Sequence, residues 1–140
     1  MAAGPIRLKG IDHLVLRVAD VGAMMDFYIG VLGCTLEKEQ PALGLHQLRA
    51  GAQRIDLVAL DGRLGRMGGA GPGAEGRNLD HFCLAIAEFD EAALRQYLSV
   101  AGVEVGAVGE RYGADGDGPS LYIRDPEGNT VELKGPATSA

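Results

Sequence analysis

Two Asp-His pairs and two later carboxylates are the residues best suited to chemistry in this chain. The pairs begin similar segments, IDHLVLRVAD at 11–20 and LDHFCLAIAE at 79–88, about half a chain apart. Both segments alternate apolar residues with others, which is typical of a β-strand. Later in each half an acidic residue stands inside an apolar strand, in IDL at 55–57 and VEL at 131–133. The pattern therefore predicts a duplicated module.

Strand alternation predicts which of these side chains share a face. Successive side chains on a strand point to opposite faces, so the apolar residues turn toward a helix and the polar ones turn away. Two such sheets placed face to face would bring together an imidazole and a carboxylate from each half: His13, Asp56, His81 and Glu132. This donor set suits Zn²⁺, Ni²⁺, Fe²⁺ or Mn²⁺. A buried glutamate is also costly unless it is paired or bound to a metal.

The third histidine and the two cysteines are less suited to a site. Aligning QLRAG with YIRDP puts Gln47 opposite Tyr122 and turns His46 away from the cavity. Both cysteines are expected mainly as core residues, although Cys83 lies on the cavity face and a minor contact with substrate stays open. Two cysteines at this spacing predict neither a disulfide framework nor a zinc knuckle.

The elements that must position these groups follow the order β-α-β-β-β twice. For module 1, over 9–60, we expect a strand at 11–18, a helix at 22–32 after the N-cap Asp20, and strands near 34–40, 43–49 and 53–60. For module 2, over 79–135, we expect a strand at 80–87, a helix at 89–101, and strands near 103–109, 118–124 and 130–135. The glycine-rich segment 61–78 between them is predicted to be a flexible linker or mobile flap. It or GADGDG at 113–118 would be the segment that closes over a site.

Length and composition narrow the class of protein. The chain has 140 residues, which predicts a single domain over 1–140. Apolar residues make up 46% of it and charged ones 23%, as in ordinary globular proteins. The formal charge of −6 argues against nucleic acid as a partner. Because no apolar run is long enough to span a membrane and no signal peptide is visible, we predict a cytoplasmic protein without a membrane partner.

Four stretches together resemble the vicinal oxygen chelate superfamily, over about residues 9–135. They are IDHLVLRVAD, DFYIGVLG, LDHFCLAI and SLYIRDPEGNTVEL. That superfamily includes glyoxalase I, bleomycin-resistance proteins, fosfomycin-resistance thiol transferases and extradiol dioxygenases. The resemblance implies an α+β fold in which two βαβββ modules form a half-open, cup-shaped mixed sheet around a divalent metal. Chains of this size in the superfamily are usually homodimers, often with each site shared between subunits.

Carried over residue by residue, the resemblance implies a metal site and a substrate site. The metal ligands would be His13, His81 and Glu132, and Asp56 takes the fourth position, where glyoxalase I has a glutamate. Glu132 or Asp56 would be the catalytic base. Arg17 matches an arginine that holds a carboxylate of glutathione in glyoxalase I. The remaining candidates for contact with substrate are Tyr122, Ser120, Gln47 and Cys83.

The resemblance leaves several functions open. We expect a glyoxalase-like, metal-dependent lyase or isomerase for a small oxygen-bearing or thiol-conjugated substrate, acting through a metal-bound oxyanion or enediolate. The alternatives are a drug- or metabolite-binding protein of the bleomycin-resistance kind and a thiol transferase of the fosfomycin-resistance kind. Leu60 stands where glyoxalase I has an asparagine, and Val15 stands where the fosfomycin transferases have a threonine. GADGDGPS also lacks the histidine of extradiol dioxygenases. These residues do not indicate which substrate or which metal the protein binds.

Overall fold

The computed structural model describes residues 4–138, which fold into two modules of the same construction. Module 1 contains β1 (His13–Val18), α1 (Val21–Met25), β2 (Thr35–Gln40), β3 (Leu45–Ala50) and β4 (Gln53–Ala59). A short helix, α2 (Arg63–Arg66), lies between the modules. Module 2 contains β5 (Phe82–Ala85), α3 (Glu91–Val100), β6 (Val108–Gly113), β7 (Gly116–Arg124) and β8 (Thr130–Lys134).

Each module forms a four-stranded mixed sheet with the same strand order. The first sheet is β1-β4-β3-β2 and the second is β5-β8-β7-β6. The first strand of each pairs parallel to the last, and the other pairings are antiparallel. The predicted α+β fold is therefore confirmed, although a single chain does not test the predicted dimer. No helix within residues 4–138 is long and apolar enough to cross a membrane.

The same capping device begins the main helix of each module. Asp20 accepts a hydrogen bond from the Ala23 amide at 3.0 Å, and Asp90 accepts one from the Ala93 amide at 3.1 Å. Such side chains satisfy amide groups that a helix start leaves unpaired. Within the helix expected at 22–32, only α1 is α-helical, because Asp26–Val31 continue as a wider π-helical turn.

One apolar core joins the inner faces of both sheets. It includes Leu16, Ile55 and Leu57 from the first sheet, and Leu121 and Val131 from the second. Alternation along the strands then turns the opposite face of each sheet away from this core. We call these outward faces the first polar face, with His13, Gln47, Arg54 and Asp56, and the second polar face, with His81, Arg111, Ser120, Tyr122, Glu132 and Lys134.

Polar contacts fix how the modules sit against each other. The Tyr28 hydroxyl, fully buried in module 1, donates to Asp125 Oδ2 of module 2 at 2.8 Å. The Glu127 carboxylate accepts hydrogen bonds from the amides of Ala19 and Asp20 at 2.8 to 2.9 Å. Burial raises the pKa of Tyr28 far above its usual range, and the neighbouring Asp125 adds to the effect. The phenol therefore stays a hydrogen-bond donor, and the contact stabilises this arrangement of the modules.

Two expectations about strands and loops in module 2 are wrong. The strand expected at 103–109 starts later, as β6 at Val108. The chain before it is held instead by a hydrogen bond from the Gly106 amide to the Tyr122 carbonyl, at 2.7 Å. The segment GADGDG, one of the two segments expected to close over a site, is instead paired as the tight turn of the β6–β7 hairpin and the start of β7. Hydrogen-bonded pairing between β6 and β7 determines both where the strand starts and how GADGDG is held. Periodicity in the sequence does not reveal this pairing.

Candidate functional site

An imidazole and a carboxylate meet on the second polar face. Glu132 lies in the middle of β8 opposite Cys83 of β5, and His81 comes just before β5. The distance from His81 Nε2 to Glu132 Oε1 is 3.3 Å. Glu132 is only 6% exposed, so its charge is removed from most solvent. Burial at this level requires a partner for the carboxylate, which His81 or a cation can supply.

The distance between these two groups also suits a shared metal ion. Two ligand atoms that each lie roughly 2.1 Å from a tetrahedral metal are roughly 3.4 Å apart. The observed separation of 3.3 Å is close to that value. An imidazole nitrogen and a carboxylate oxygen are also donors that Zn²⁺ and its neighbours accept. His81 and Glu132 thus fit two adjacent positions of a metal site.

The repeated Asp-His pair is an orienting contact in both modules. Asp12 Oδ1 lies 2.7 Å from His13 Nδ1, and Asp80 Oδ2 lies 2.7 Å from His81 Nδ1. The hydrogen bond with His13 lowers the pKa of Asp12, so its carboxylate stays ionised as an acceptor. A neutral imidazole that donates through Nδ1 leaves its Nε2 lone pair free, and metal-binding histidines are held in this way. Both histidines therefore have the orientation of a metal ligand.

On the first polar face, Asp56 is a buried carboxylate that is only partly satisfied. It is 2% exposed, and its Oδ2 accepts from Arg54 Nη2 at 3.3 Å and from Gln47 Nε2 at 3.4 Å. Its Oδ1 has no hydrogen-bond partner in the described part of the chain. A buried oxygen without a partner is costly, so Asp56 Oδ1 is suited to accept a proton or contact a cation. Nothing in the sequence assigned Arg54 a role.

A single chain does not bring all the predicted ligands together. His13 and Asp56 belong to the first polar face, whereas His81 and Glu132 belong to the second. Across residues 4–138, no three histidine, cysteine or acidic side chains are grouped as a metal would need. His13 and His81 both border a cavity of about 1160 Å³ between the modules, but Asp56 and Glu132 do not. The chain therefore presents two partial sites, and His46 is separate from both, 3.1 Å from Glu39.

Tyr122 and Cys83 flank the His81–Glu132 pair. The Tyr122 ring meets the His81 ring edge-on, with centroids 5.5 Å apart, and Tyr122 is the cross-strand partner of Glu132. Partial desolvation and the Glu132 carboxylate raise the pKa of Tyr122, so its hydroxyl stays protonated. The same two causes raise the pKa of the Cys83 thiol to about 11. Neither group is ionised near neutral pH, because the effect of the Lys134 charge, which lowers the pKa of Cys83, is outweighed by burial and Glu132.

Arg17 was expected to bind a carboxylate of the substrate, but in the structure it contacts backbone carbonyls of the glycine-rich segment. Its guanidinium donates to the carbonyls of Gly65, Gly69 and Ala70, at distances from 2.6 to 3.1 Å. A side chain at Gly68 would collide with it, since a Cβ added there would fall 2.5 Å from the guanidinium carbon. Arg17 therefore anchors the glycine-rich segment to β1, which also restrains the segment expected to be flexible.

Ser120 is likewise placed to orient another side chain. It is fully buried, and its hydroxyl accepts from Arg111 Nη1 at 2.7 Å. The direct contact with substrate expected of Ser120 is not available from this position. The guanidinium of Arg111 covers it and stacks over the Tyr122 ring, 4.5 Å from the centroid. Sequence reasoning missed Arg111 because the strand expected at 103–109 ended before it.

Comparisons with known proteins agree with this architecture. A family model described as the Glyoxalase/Bleomycin resistance protein/Dioxygenase superfamily matches residues 10–133. The chain is 33% identical over 132 residues to virulence protein STM3117 of Salmonella typhimurium, a match that covers 88% of this chain and 81% of that protein. The crystal structure of STM3117 superposes with a TM-score of 0.71 at 29% identity, covering 93% of this chain and 98% of that one.

Two further solved structures show the same fold. VPC_CASS1, from the mobile metagenome of V. pseudocholerae, has a TM-score of 0.71 at 29% identity, covering 96% of this chain and 98% of its own. Lactoylglutathione lyase from Agrobacterium tumefaciens has a TM-score of 0.65 at 21% identity, covering 91% of this chain and 94% of its own. At that identity, the second likeness concerns the fold alone.

Proposed function

The chain belongs to the Glyoxalase/Bleomycin resistance protein/Dioxygenase superfamily, and on that premise we propose that it is a metal-dependent, glyoxalase-like lyase or isomerase. Its substrate in this proposal is a small oxygen-bearing or thiol-conjugated molecule. Members of the superfamily commonly use divalent metals. The observation that carries the proposal is the His81–Glu132 pair at 3.3 Å, with its imidazole held by Asp80.

The proposed metal ligands are His81 and Glu132 of one subunit and His13 of a second copy. A homodimer of this kind accounts for two partial sites that face away from a shared core. It also accounts for the oriented His13 imidazole, which has an acidic partner at Nδ1 but belongs to no group of three potential metal ligands within residues 4–138. In a two-fold dimer both sites would be completed at once, because the same surfaces meet twice.

A divalent cation bound by these residues would stabilise negative charge that develops on two neighbouring substrate oxygens. The chain's own groups would move the proton. Asp56 Oδ1 is buried without a partner among the described residues, and Glu132 is the other candidate base. Tyr122, whose ring meets His81 edge-on, would donate a hydrogen bond to the substrate. Gln47 would hold Asp56 in place, since it already donates to Oδ2.

Metal content and turnover together test this proposal. Elemental analysis of protein purified without chelator should find about one divalent ion per chain. With methylglyoxal and glutathione as a first substrate pair, His13→Ala should lose turnover. Equal rates for His13→Ala and wild type would rule out the metal-dependent mechanism for that pair.

Two further variants separate binding from proton transfer. Glu132→Gln should lose the metal, because an amide is a poorer ligand than a carboxylate. Asp56→Asn should retain the metal but lose turnover if Asp56 is the base. Loss of metal in Asp56→Asn would make Asp56 a fourth ligand instead.

A second candidate is a protein that binds a drug or metabolite without turnover. The observation that favours it is the cavity of about 1160 Å³, whose walls are mainly apolar residues such as Leu14, Ile55 and Leu94. Such pockets commonly take small ligands. Protein that purifies without metal, and whose stability ignores both chelator and added Ni²⁺ or Zn²⁺, would favour this candidate over the enzyme.

A further inference from the structure

Lys134 has a largely buried side chain and no acidic partner among the described residues. It ends β8 and is only 8% exposed. Within residues 4–138, its ammonium group takes part in none of the ion pairs and side-chain hydrogen bonds. Lysine can bury its aliphatic stem while its ammonium group stays accessible, so this charge is available to pair with an anion.

The fold makes room for this side chain on the second polar face. Lys134 follows Glu132 by two positions on β8, so both project to the same side, and its cross-strand partner is Ser120. Its stem lies across two glycines of the β6–β7 hairpin. A Cβ added at Gly113 would fall 2.7 Å from Lys134 Cε, and one added at Gly118 would fall 2.9 Å from Nζ. The two glycines therefore keep open the space that the ammonium group reaches through.

A second cation lies on the same side of the hairpin. Arg111 is the cross-strand partner of Gly118, the glycine beside Lys134 Nζ. Its Nη1 donates to the carbonyl and hydroxyl of Ser120 at 3.0 and 2.7 Å, which fixes the plane of the guanidinium. Two positive groups thus flank Ser120, in a chain whose formal charge is −6. Along β8, the strand rise separates the Cα atoms of Lys134 and Glu132 by about 7 Å.

We propose that Lys134 and Arg111 bind an anionic group of the substrate, a carboxylate or a phosphate, while another part of the same molecule reaches His81 and Glu132. The inference deepens the proposed function and rests on it for the role of the His81–Glu132 pair. It narrows the substrate class to small acids that also carry oxygen donors. Ser120 is a positioning residue in this arrangement, since it is buried beneath Arg111 and orients it.

The test uses inorganic phosphate as the probe, on full-length protein stripped of metal, so that phosphate cannot bind through a metal ion. Titration followed by NMR should give saturable shifts of the Lys134 Cε–Hε signals and of the Ser120 amide. Lys134→Met keeps the aliphatic stem but removes the charge, and it should weaken phosphate binding at least about tenfold. Lys9→Met, the same change at an exposed position outside both sheets, should leave the affinity within about twofold.

Several outcomes decide the inference. Shifts at Lys134 that never saturate, or an equal phosphate affinity in Lys134→Met, would overturn it. If Lys134→Met loses its fold by circular dichroism, the saturable Lys134 shifts of the wild type decide alone. A parallel titration with acetate distinguishes the two anions, and tighter binding of either one supports the inference and names the group.

A separate measurement keeps this inference distinct from the proposed function. Lys134→Met should bind Ni²⁺ as tightly as wild type, because Lys134 is not a ligand. Wild-type protein that binds phosphate at Lys134 but no metal would defeat the proposed enzyme and leave the anion site standing. Protein that binds metal but no phosphate would overturn the anion site and leave the proposed enzyme standing.

Discussion

Mixing a His13→Ala subunit with a Glu132→Gln subunit should restore metal binding that each variant lacks alone. The prediction follows from the separation of the polar faces, because a shared site takes His13 from one copy and the His81–Glu132 pair from the other. In the mixed dimer, one site then contains both substitutions and the other contains none. If the site lay within one chain, every site in the mixture would contain one substitution.

The expected yield can be worked out from this arrangement. Random exchange at equal concentrations makes half of the dimers mixed, and each mixed dimer has one intact site of two, so about one quarter of all sites recover. Each homodimer should bind metal at least about 100-fold more weakly, because losing even an outer contact to a ligand costs 10- to 100-fold. The recovered sites should therefore stand out clearly from the background.

The assay is Ni²⁺ bound per chain, measured by elemental analysis after the two differently tagged variants have been unfolded, mixed and refolded. Mass spectrometry of doubly purified protein confirms that mixed dimers form. The matched control mixes His81→Ala with Glu132→Gln, whose substitutions lie on the same polar face, so that no intact site can form. Mixed dimers that bind no more Ni²⁺ than the homodimers, or a control that recovers equally, would refute the shared site.

Three further perturbations test single contacts. Asp80→Ala should weaken Ni²⁺ binding about 10- to 100-fold with little change in melting temperature, because it frees the His81 ring without removing a ligand. Isothermal titration calorimetry measures the affinity, and an unchanged value would mean that Asp80 does not orient His81. Tyr28→Phe should lower the free energy of unfolding by about 1 to 3 kcal/mol, since Asp125 Oδ2 is a charged acceptor and loses one of its two donors, keeping only Asn129. Urea denaturation measures the change, and a neutral effect would count against the contact as a link between the modules. Arg17→Met should speed trypsin cleavage in the glycine-rich segment several-fold, because three hydrogen bonds to that segment are lost. An unchanged cleavage rate would mean that other contacts restrain the segment.

Local patterns in the sequence were enough for much of the architecture. The repeated Asp-His segments and the alternation after them predicted two modules and the inward side of β1 and β8. Asp20 was correctly predicted as the N-cap of a helix, because capping depends only on residues within one turn. These features depend on neighbours along the chain, so the sequence contains all the information they need.

The extent of strands could not be predicted in the same way. β6 begins at Val108 and includes Arg111, because hydrogen bonds with β7 decide where pairing starts. Periodicity over 103–109 suggested an earlier strand, and Arg111 was therefore missed. The role proposed for Lys134 was missed for a similar reason, since the path of its side chain depends on two glycines of the β6–β7 hairpin.

The sequence by itself determined the residue types on each polar face, because side-chain alternation along a strand is a local property. Only the tertiary structure decided which faces meet. The shared apolar core and the Tyr28–Asp125 hydrogen bond turn both polar faces outward, so His13 and Asp56 lie apart from His81 and Glu132 within one chain. Such an arrangement depends on packing between residues far apart in the sequence, and spacing along the chain contains no measure of it.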